Sequence, residues 1–293
     1  MAVSTKSQWH IGVICGSGLA NGLALDAAQV IEVASPFGLP SAGVTTGTLA
    51  GVRITFLARH GEGHTIPPSH INYRANIDVL KRCGVTDLIA VSAIGSLSSA
   101  MAPGSFVAVD QFIDRTTART GSFFGPGLVA HVNLADSVCP RLRAGLVAAV
   151  EAEAGQVHDG GCYVAIEGPQ FSTRAESRLY QSWGGDVIGM TGMPEARLAR
   201  EAELPYAMLG MVTDYDSWRA DDAGVEAGNV IAVMQSSAAL AQRVVERLAA
   251  SLPDGRSPSP IDAALDGAIM TPPAARDPAL VARLQAVAGR VLK

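Results

Sequence analysis

The feature that most constrains the fold is the alternation of short apolar runs with helix-like segments along nearly the whole chain. Residues 9–15, 87–93 and 206–213 have the length and composition of buried strands. Residues 71–83 and 225–250 show the spacing of apolar residues that is typical of helices. This alternation predicts an α/β fold whose helices cover both faces of a sheet. A chain of 293 residues, of which 48% are hydrophobic, can bury the core that such a fold requires.

Local signals give this expectation more detail. Residues 42–49 and 52–58 are β-rich runs joined at Ala50-Gly51, which predicts a hairpin and therefore a mixed sheet. Residues 106–112 are predicted to be a single strand. Thr173 and Glu176 have capping-box spacing, so we expect a helix to begin near Thr173.

The domain organisation follows from a change in composition near the end of the chain. Residues 254–260 are rich in Pro, Ser and Gly and break the alternating pattern. We therefore expect a single α/β domain over residues 1–252, with a central mixed β-sheet flanked by helices. Residues 253–293 are expected to form a C-terminal tail that packs on the body or on a neighbouring subunit.

Charge and cysteine usage bound the partners and the compartment. The net charge is −5 and only 17% of the residues are charged, which argues against a nucleic-acid surface. The four cysteines are widely spaced and suggest neither a metal site nor a redox site. Residues 1–10 lack the apolar segment of a secretory signal, and no apolar stretch is long enough to span a bilayer. These observations predict a cytoplasmic protein that contacts neither a membrane nor nucleic acid.

Small and polar residues lie at the ends of three of the predicted strands. They are Gly16-Ser17-Gly18, Arg59-His60-Gly61 and Ser92-Ala93-Ile94-Gly95-Ser96. Taken alone, Gly16-Ser17-Gly18 fits an ordinary turn better, and Arg59-His60-Gly61 fits a solvated loop equally well. In α/β sheets, however, ligands gather at the carboxyl ends of the strands, and Arg is well suited to bind phosphate. Together these loops predict a site for an anion.

Two carboxylates and one aromatic residue are candidates for contacting a flat heterocycle. Asp214 and Asp216 flank Tyr215 just after an apolar strand, and a buried Asp can keep its proton at neutral pH. Phe171 lies in a Gly-Pro-Gln-Phe-Ser turn and could stack on a base. Taken alone, the aspartates fit an ordinary acidic loop, and Phe171 fits the core equally well.

Seven motifs, in order, identify a family resemblance over about residues 10–250. The motifs are Ile14-Cys15-Gly16-Ser17-Gly18-Leu19, Leu57-Ala58-Arg59-His60-Gly61 with His64-Thr65, Asn72-Tyr73-Arg74-Ala75-Asn76, Asp110-Gln111-Phe112-Ile113-Asp114-Arg115-Thr116, Glu167-Gly168-Pro169-Gln170-Phe171-Ser172, Gly189-Met190-Thr191-Gly192-Met193-Pro194-Glu195 and Thr213-Asp214-Tyr215-Asp216-Ser217-Trp218. With these motifs the chain resembles the trimeric purine nucleoside phosphorylase family, and within it the branch that cleaves methylthioadenosine.

The resemblance implies a role for each site residue. Those expected to hold inorganic phosphate are Ser17, Arg59, His60, Ser92, Ala93 and Thr191. Those expected to contact the nucleoside are Phe171, Ser172, Met190, Thr213 and His131, the last reaching in from an adjacent subunit. Asp214 and Asp216 are expected to be catalytic, binding the five-membered-ring nitrogen and the exocyclic amino group of the purine.

The implied reaction is phosphorolysis of S-methyl-5′-thioadenosine to adenine and S-methyl-5-thioribose 1-phosphate, in purine and methionine salvage. The resemblance implies a pentosyltransferase that uses inorganic phosphate as a co-substrate and needs no cofactor or metal. The resemblance also implies a homotrimer or a dimer of trimers. Two carboxylates favour a 6-aminopurine, because a carboxylate accepts from an amino group but repels a carbonyl oxygen.

The sugar's 5′ end is expected to meet an apolar face of the long helix. Ala227, Val230 and Ile231 share one face by helical spacing, and the methylthio branch lines its 5′ pocket at these positions. Periodicity alone would place the same face in the core.

Three alternatives and three departures from the family pattern remain. The alternatives are a phosphorylase for 6-oxopurine nucleosides or methylthioinosine, a hydrolytic nucleosidase of related fold, and a non-catalytic nucleoside-binding protein. The departures are Ser17, where the branch often has Thr, the sequence of the loop 118–121, and the tail after about Ser251, which has no counterpart in the resemblance.

Overall fold

The computed structural model of the protein describes residues 8–16, 19, 23–219, 225 and 227–292. Eleven strands in this part of the chain form one mixed sheet. The strands are β1 (His10–Cys15), β2 (Asp26–Ile31), β3 (Val44–Leu49), β4 (Val52–Ala58), β5 (Asp87–Ser96), β6 (Phe106–Val109), β7 (Gln111–Asp114), β8 (Val157–Asp159), β9 (Cys162–Ala165), β10 (Val187–Gly189) and β11 (Tyr206–Asp214).

The long strand β5 organises the sheet, whose main order is β2-β3-β4-β1-β5-β10-β9-β7. β1 pairs with the first residues of β5. β10 pairs with Gly95 and Ser96 near the end of β5, on the same side of that strand as β1. β11 runs parallel to β5 along the other side and leads to β6 and β8. Because β4, β1 and β5 are mutually parallel, their carboxyl ends meet at one edge of the sheet.

Seven α-helices in the described ranges surround this sheet. They are α1 (Tyr73–Arg82), α2 (Pro140–Ala152), α3 (Arg174–Ser182), α4 (Gly192–Glu201), α5 (Ala227–Ser251), α6 (Pro278–Arg283) and α7 (Gln285–Ala288). Side-chain caps define several helix starts. The Asn72 side chain accepts from the Ala75 N–H at the start of α1. The predicted capping box between Thr173 and Glu176 is present at the start of α3.

The core lies on both faces of the sheet. Leu88 and Ala90 of β5 pack in one apolar cluster, whereas Ile89 and Val91 pack in a second. Successive side chains of a strand point to opposite faces, so β5 is buried on both sides. No helix among the described residues is long and apolar enough to cross a membrane.

The C-terminal tail contacts the body of its own chain. Leu265, Leu284 and Val287 are buried in the same cluster as the strand residues Leu88 and Ala90. The tail also forms a bridge between Ile269 and Ala130 of the loop that precedes α2. Packing on a neighbouring subunit stays a prediction.

The mixed α/β architecture that the sequence predicts is confirmed, as is the β3–β4 hairpin. Ala50 and Gly51 have φ values of 51° and 80°, a conformation suited to a tight hairpin turn. The prediction of one strand over residues 106–112 is wrong. Residues 106–109 pair with β11 and β8, whereas residues 111–114 pair with β9. Asp110 lies between them, and its carboxylate accepts from the Gly161 N–H at 3.0 Å.

Candidate functional site

The residues predicted to hold phosphate come from three parts of the fold that the sheet brings together. Arg59 and His60 directly follow β4, Ser92 and Ala93 lie in β5, and Thr191 precedes α4. The hydroxyls of Ser92 and Thr191 are 3.3 Å apart, although 99 residues separate them in the chain. Ser17 lies outside the described residues.

Arg59 is 1% exposed, and most of its side-chain N–H groups donate to other residues of the protein. Its Nε and Nη2 atoms donate to the two carboxylate oxygens of Glu195, at 2.8 and 3.1 Å. Its Nη1 and Nη2 atoms donate to the carbonyls of Val91 and Ile14, both at 3.2 Å. Four of the five guanidinium N–H groups are therefore engaged, which leaves one on Nη1 for any ligand. Phosphate binding by Arg59 stays a prediction that rests on this one donor.

His60 is held in one orientation beside Arg59. Its Nδ1 lies 2.9 Å from the Ile66 carbonyl, and its ring stacks on His64 with 4.1 Å between centroids. A carbonyl can only accept, so Nδ1 carries the proton. Burial, reinforced by the charge of Arg59, lowers the pKa of His60 to about 4. The ring is therefore neutral near pH 7, and its Nε2 can accept a hydrogen bond from a phosphate hydroxyl.

The two candidate catalytic carboxylates have different surroundings. Asp214 accepts from the Thr213 hydroxyl at 2.7 Å and from the Asp216 N–H at 2.8 Å. Asp216 is buried and accepts from the Ser177 hydroxyl at 2.5 Å. Burial raises the pKa of Asp216 to about 6, with a further contribution from the charge of Asp214. Asp216 therefore holds a proton more readily than an exposed aspartate does.

Gly95 of β5 lies against this pair. A Cβ atom at Gly95 would be 2.9 Å from an Asp214 carboxylate oxygen, so only glycine permits this close approach. The strand that carries Ser92 therefore also contacts Asp214 three residues later.

Two residues of the 166–172 loop have the properties that a base-binding surface needs. Phe171 is 42% exposed, so its ring face is available to stack on a ligand. The Ser172 hydroxyl is buried and has no hydrogen-bond partner among the residues that the structure describes. A buried hydroxyl without a partner is costly, and a bound ligand would remove that cost.

The residues predicted for the 5′ end of the sugar lie at the start of α5 or on a separate loop. Ala227 is exposed, Val230 is half-buried and Ile231 is 48% exposed. The described part of the chain thus leaves much of their apolar surface uncovered. His131 is exposed on the loop before α2, where its N–H donates to the Ala268 carbonyl of the tail. Its approach to a neighbouring subunit's site stays a prediction.

Sequence reasoning assigned no role to several polar residues that support the site. Ser177 contacts Asp216, Glu195 binds Arg59, and the Tyr163 hydroxyl accepts from the Thr191 and Gly192 N–H groups at 3.2 and 3.3 Å. The capping box places Ser177 in the first turn of a helix, and Glu195 lies within a recognised motif. Neither signal shows which side chain faces the site. Among the described residues, no group of three or more His, Cys, Asp or Glu side chains could hold a metal ion.

Known proteins resemble this chain along almost its whole length. The phosphorylase superfamily matches residues 10–250. The S-methyl-5′-thioadenosine phosphorylases of Bradyrhizobium diazoefficiens and Cereibacter sphaeroides are each 55% identical to it, over 98% and 97% of this chain and 99% and 98% of theirs. A solved methylthioadenosine phosphorylase from an antarctic soil metagenomic library has a TM-score of 0.90 at 42% identity, covering 96% of this chain and 99% of that chain. The Schistosoma mansoni methylthioadenosine phosphorylase in complex with adenine has a TM-score of 0.78 at 35% identity, covering 83% and 91%.

Proposed function

Since this chain belongs to the phosphorylase superfamily, we propose that it converts S-methyl-5′-thioadenosine and phosphate to adenine and S-methyl-5-thioribose 1-phosphate. The relatives that are 55% identical to it carry the name of this activity. The reaction is a pentosyl transfer from a purine to phosphate, with phosphate as co-substrate and no further cofactor.

The observation that carries the proposal is the position of two groups along one strand. Ser92 of β5 lies beside Thr191, and Gly95 of the same strand lies beside Asp214. Three residues of a strand span about 10 Å. That separation suits a phosphate at one end, a purine at the other and a sugar between them.

The reaction requires these residues mainly to position the substrates and to protonate the leaving base. The bond between the sugar's anomeric carbon and the purine nitrogen breaks, its electrons leave with the purine, and a phosphate oxygen bonds to the carbon. The departing base needs a proton, which a carboxylic acid kept neutral by burial can supply. The raised pKa of Asp216 means that it takes up a proton more readily than an exposed aspartate and can pass it to the base, whereas the Asp214 oxygens act as hydrogen-bond acceptors. This pairing matches the ring nitrogen and the exocyclic amino group of a 6-aminopurine.

We further infer a role in purine and methionine salvage, in the cytoplasm, as a homotrimer or dimer of trimers. The four cysteines are free thiols, as is usual in a reducing compartment. The exposed position of His131 and the uncovered apolar start of α5 both suit contact with another copy of the chain or with substrate.

Product analysis tests the proposal. Purified protein is incubated with methylthioadenosine, adenosine or inosine, each with and without phosphate. We expect adenine and a sugar 1-phosphate from methylthioadenosine, with a rate that saturates in phosphate. Equal release of base in phosphate-free buffer would indicate a hydrolase. Preference for inosine would indicate a 6-oxopurine phosphorylase, and no turnover would indicate a binding protein.

A further inference from the structure

Arg119 lies in the loop that departs from the family pattern, and all its side-chain nitrogens bind other parts of the protein. Its side chain is 2% exposed. The six acceptors are the Glu167 carboxylate (2.9 Å), the carbonyls of Ile166 (3.3 Å), Glu167 (2.7 Å), Met190 (2.5 Å) and Met193 (2.7 Å), and the Tyr73 hydroxyl (2.9 Å).

Half of these contacts fix the segment that leads to Phe171 and Ser172. Arg119 binds the carbonyls of Ile166 and Glu167 and pairs with the Glu167 carboxylate. The same carboxylate accepts from the N–H groups of Thr117 and Ala118, at 2.6 and 3.0 Å. The loop 117–119 and the segment 166–167 are therefore joined by hydrogen bonds to both the side chain and the backbone of Glu167.

Two of the three remaining contacts fix residues 190–193, at the start of α4. The carbonyls of Met190 and Met193 bracket Thr191, the residue beside Ser92. The Tyr73 hydroxyl in turn donates to the Pro68 carbonyl at 3.0 Å, in the segment that follows His60. One guanidinium thus touches, directly or through Tyr73, the backbone of the segments assigned to base, sugar and phosphate.

We propose that Arg119 is a positioning residue that holds the nucleoside segment 166–172 and the turn 190–193 in register with each other. This inference rests on the proposed function. The planar guanidinium presents five N–H groups in a fixed fork, whereas a lysine ammonium presents a single compact charge. Removal of the fork would leave buried carbonyls unpaired and the two segments free to shift. A misplacement of about 1 Å at a reacting centre can cost about 100-fold in rate.

Arg256 provides a matched control. Its side chain is 13% exposed and binds Asp87, Asp262 and the Thr86 carbonyl. Asp87 begins β5, so this cluster lies at the opposite end of the strand from Ser96. Both side chains are largely buried and make several hydrogen bonds, but only Arg119 contacts the site segments.

The experiment compares Arg119→Met and Arg119→Lys with Arg256→Met. It measures kcat, KM for methylthioadenosine and for phosphate, Tm, and hydrogen–deuterium exchange of segments 166–172 and 190–193. We expect Arg119→Met to lose about 100-fold in kcat/KM and Arg119→Lys to recover part of that loss. Both should speed exchange in the two segments together. Arg256→Met should lower Tm with kcat and both KM values unchanged.

Several outcomes would overturn the inference. One is an Arg119→Met protein with wild-type kinetics and only a lower Tm. If Arg119→Met does not fold, Arg119→Lys decides, and wild-type kinetics with unchanged exchange in that variant count against the proposal. If the wild type turns over no nucleoside, the proposed function fails on its own. Exchange in Arg119→Lys then still tests the coupling, because a change in only one segment, or in neither, contradicts it.

Discussion

At the scale of single residues, Asp214 and Asp216 are two positions apart yet are held by different donors. Thr213 and the Asp216 N–H fix Asp214, whereas Ser177 fixes Asp216. We expect Asp214→Asn to lower kcat/KM for methylthioadenosine at least about tenfold, the scale of one lost charge-assisted hydrogen bond. Steady-state kinetics measure this. Asp110→Asn, which alters a carboxylate between β6 and β7, is the control. Equal losses in both variants would show that Asp214 has no special role.

Glu201 gives a prediction about stability and pH. It is buried at the end of α4, where it accepts from the Ser122 hydroxyl and the Phe123 N–H, both at 2.7 Å. Burial outweighs these hydrogen bonds and raises its pKa from 4.5 to about 7. Between these values the folded state binds more protons than the unfolded state, so the stability that Glu201 contributes falls as pH rises.

The measurement is the free energy of unfolding of the wild type and of Glu201→Gln, from urea titrations across this pH window. We expect the wild type to lose stability relative to the variant as pH increases, because glutamine does not titrate. Glu246→Gln on the exposed face of α5 controls for the chemical change. A difference between wild type and Glu201→Gln that stays constant with pH would contradict the prediction.

Arg59 shows what the sequence could not supply about the site. Its position after a strand predicted that it lies with the ends of other strands, and it does donate to the Val91 carbonyl, next to Ser92 in β5. Its partner Glu195, 136 residues further along the chain, depends on how α4 packs against the sheet. Removing one partner of a buried ion pair costs about 3–5 kcal/mol. Loss of activity in Arg59→Ala would therefore mix a stability defect with any loss of phosphate binding.

At the scale of elements, the predictable features were those encoded within a few residues. The capping box at Thr173 and the Ala50-Gly51 turn are local, and both are present. The division of residues 106–114 into β6 and β7 was not predictable, because β6 pairs with β11 and β7 with β9, both distant in sequence. β2 was missed because it is exposed on nearly all its residues and has no alternating apolar face.

The start of α5 carries a prediction about specificity for the 5′ substituent. Val230 is half-buried and Ile231 is 48% exposed, so this end of the helix offers apolar surface. A methylthio group gains contact there, whereas a hydroxyl loses water without gaining a partner. One such mismatch is worth about 1–3 kcal/mol, or about ten- to two-hundredfold in kcat/KM. Adenosine should therefore be a poor substrate that still reacts.

Val230→Asp tests this assignment. We expect it to reduce kcat/KM for methylthioadenosine far more than for adenosine, because the new carboxylate is incompatible with the apolar thioether. Ala239→Asp, on an exposed position further along α5, should leave the ratio of the two substrates unchanged. The assignment fails if Val230→Asp slows both substrates equally, or if the wild type uses adenosine as well as methylthioadenosine.

At the scale of the whole molecule, hydrogen bonds join the tail to the loop before α2. Besides the Ala130–Ile269 bridge, the Met270 N–H donates to the Val129 carbonyl, and the Val129 N–H donates to the Thr271 hydroxyl. The superfamily match ends at residue 250, but the Bradyrhizobium diazoefficiens relative matches 98% of the chain. The tail therefore belongs to the part that such relatives share, and it holds the loop that carries His131.

His131 provides the last prediction, which concerns assembly. If His131 completes the site of a neighbouring subunit, each site takes its Asp214 from one chain and its His131 from another. Co-expression of His131→Ala with Asp214→Asn should then produce some sites with both residues intact. In a cyclic homotrimer formed at random from equal amounts, about a quarter of the sites are of this kind. We expect the mixture to exceed the mean activity of the two variants, measured with methylthioadenosine. The control is His131→Ala mixed with the double variant His131→Ala/Asp214→Asn, in which no chain can supply His131. Activity no higher than the mean in both mixtures would place His131 outside the neighbour's site.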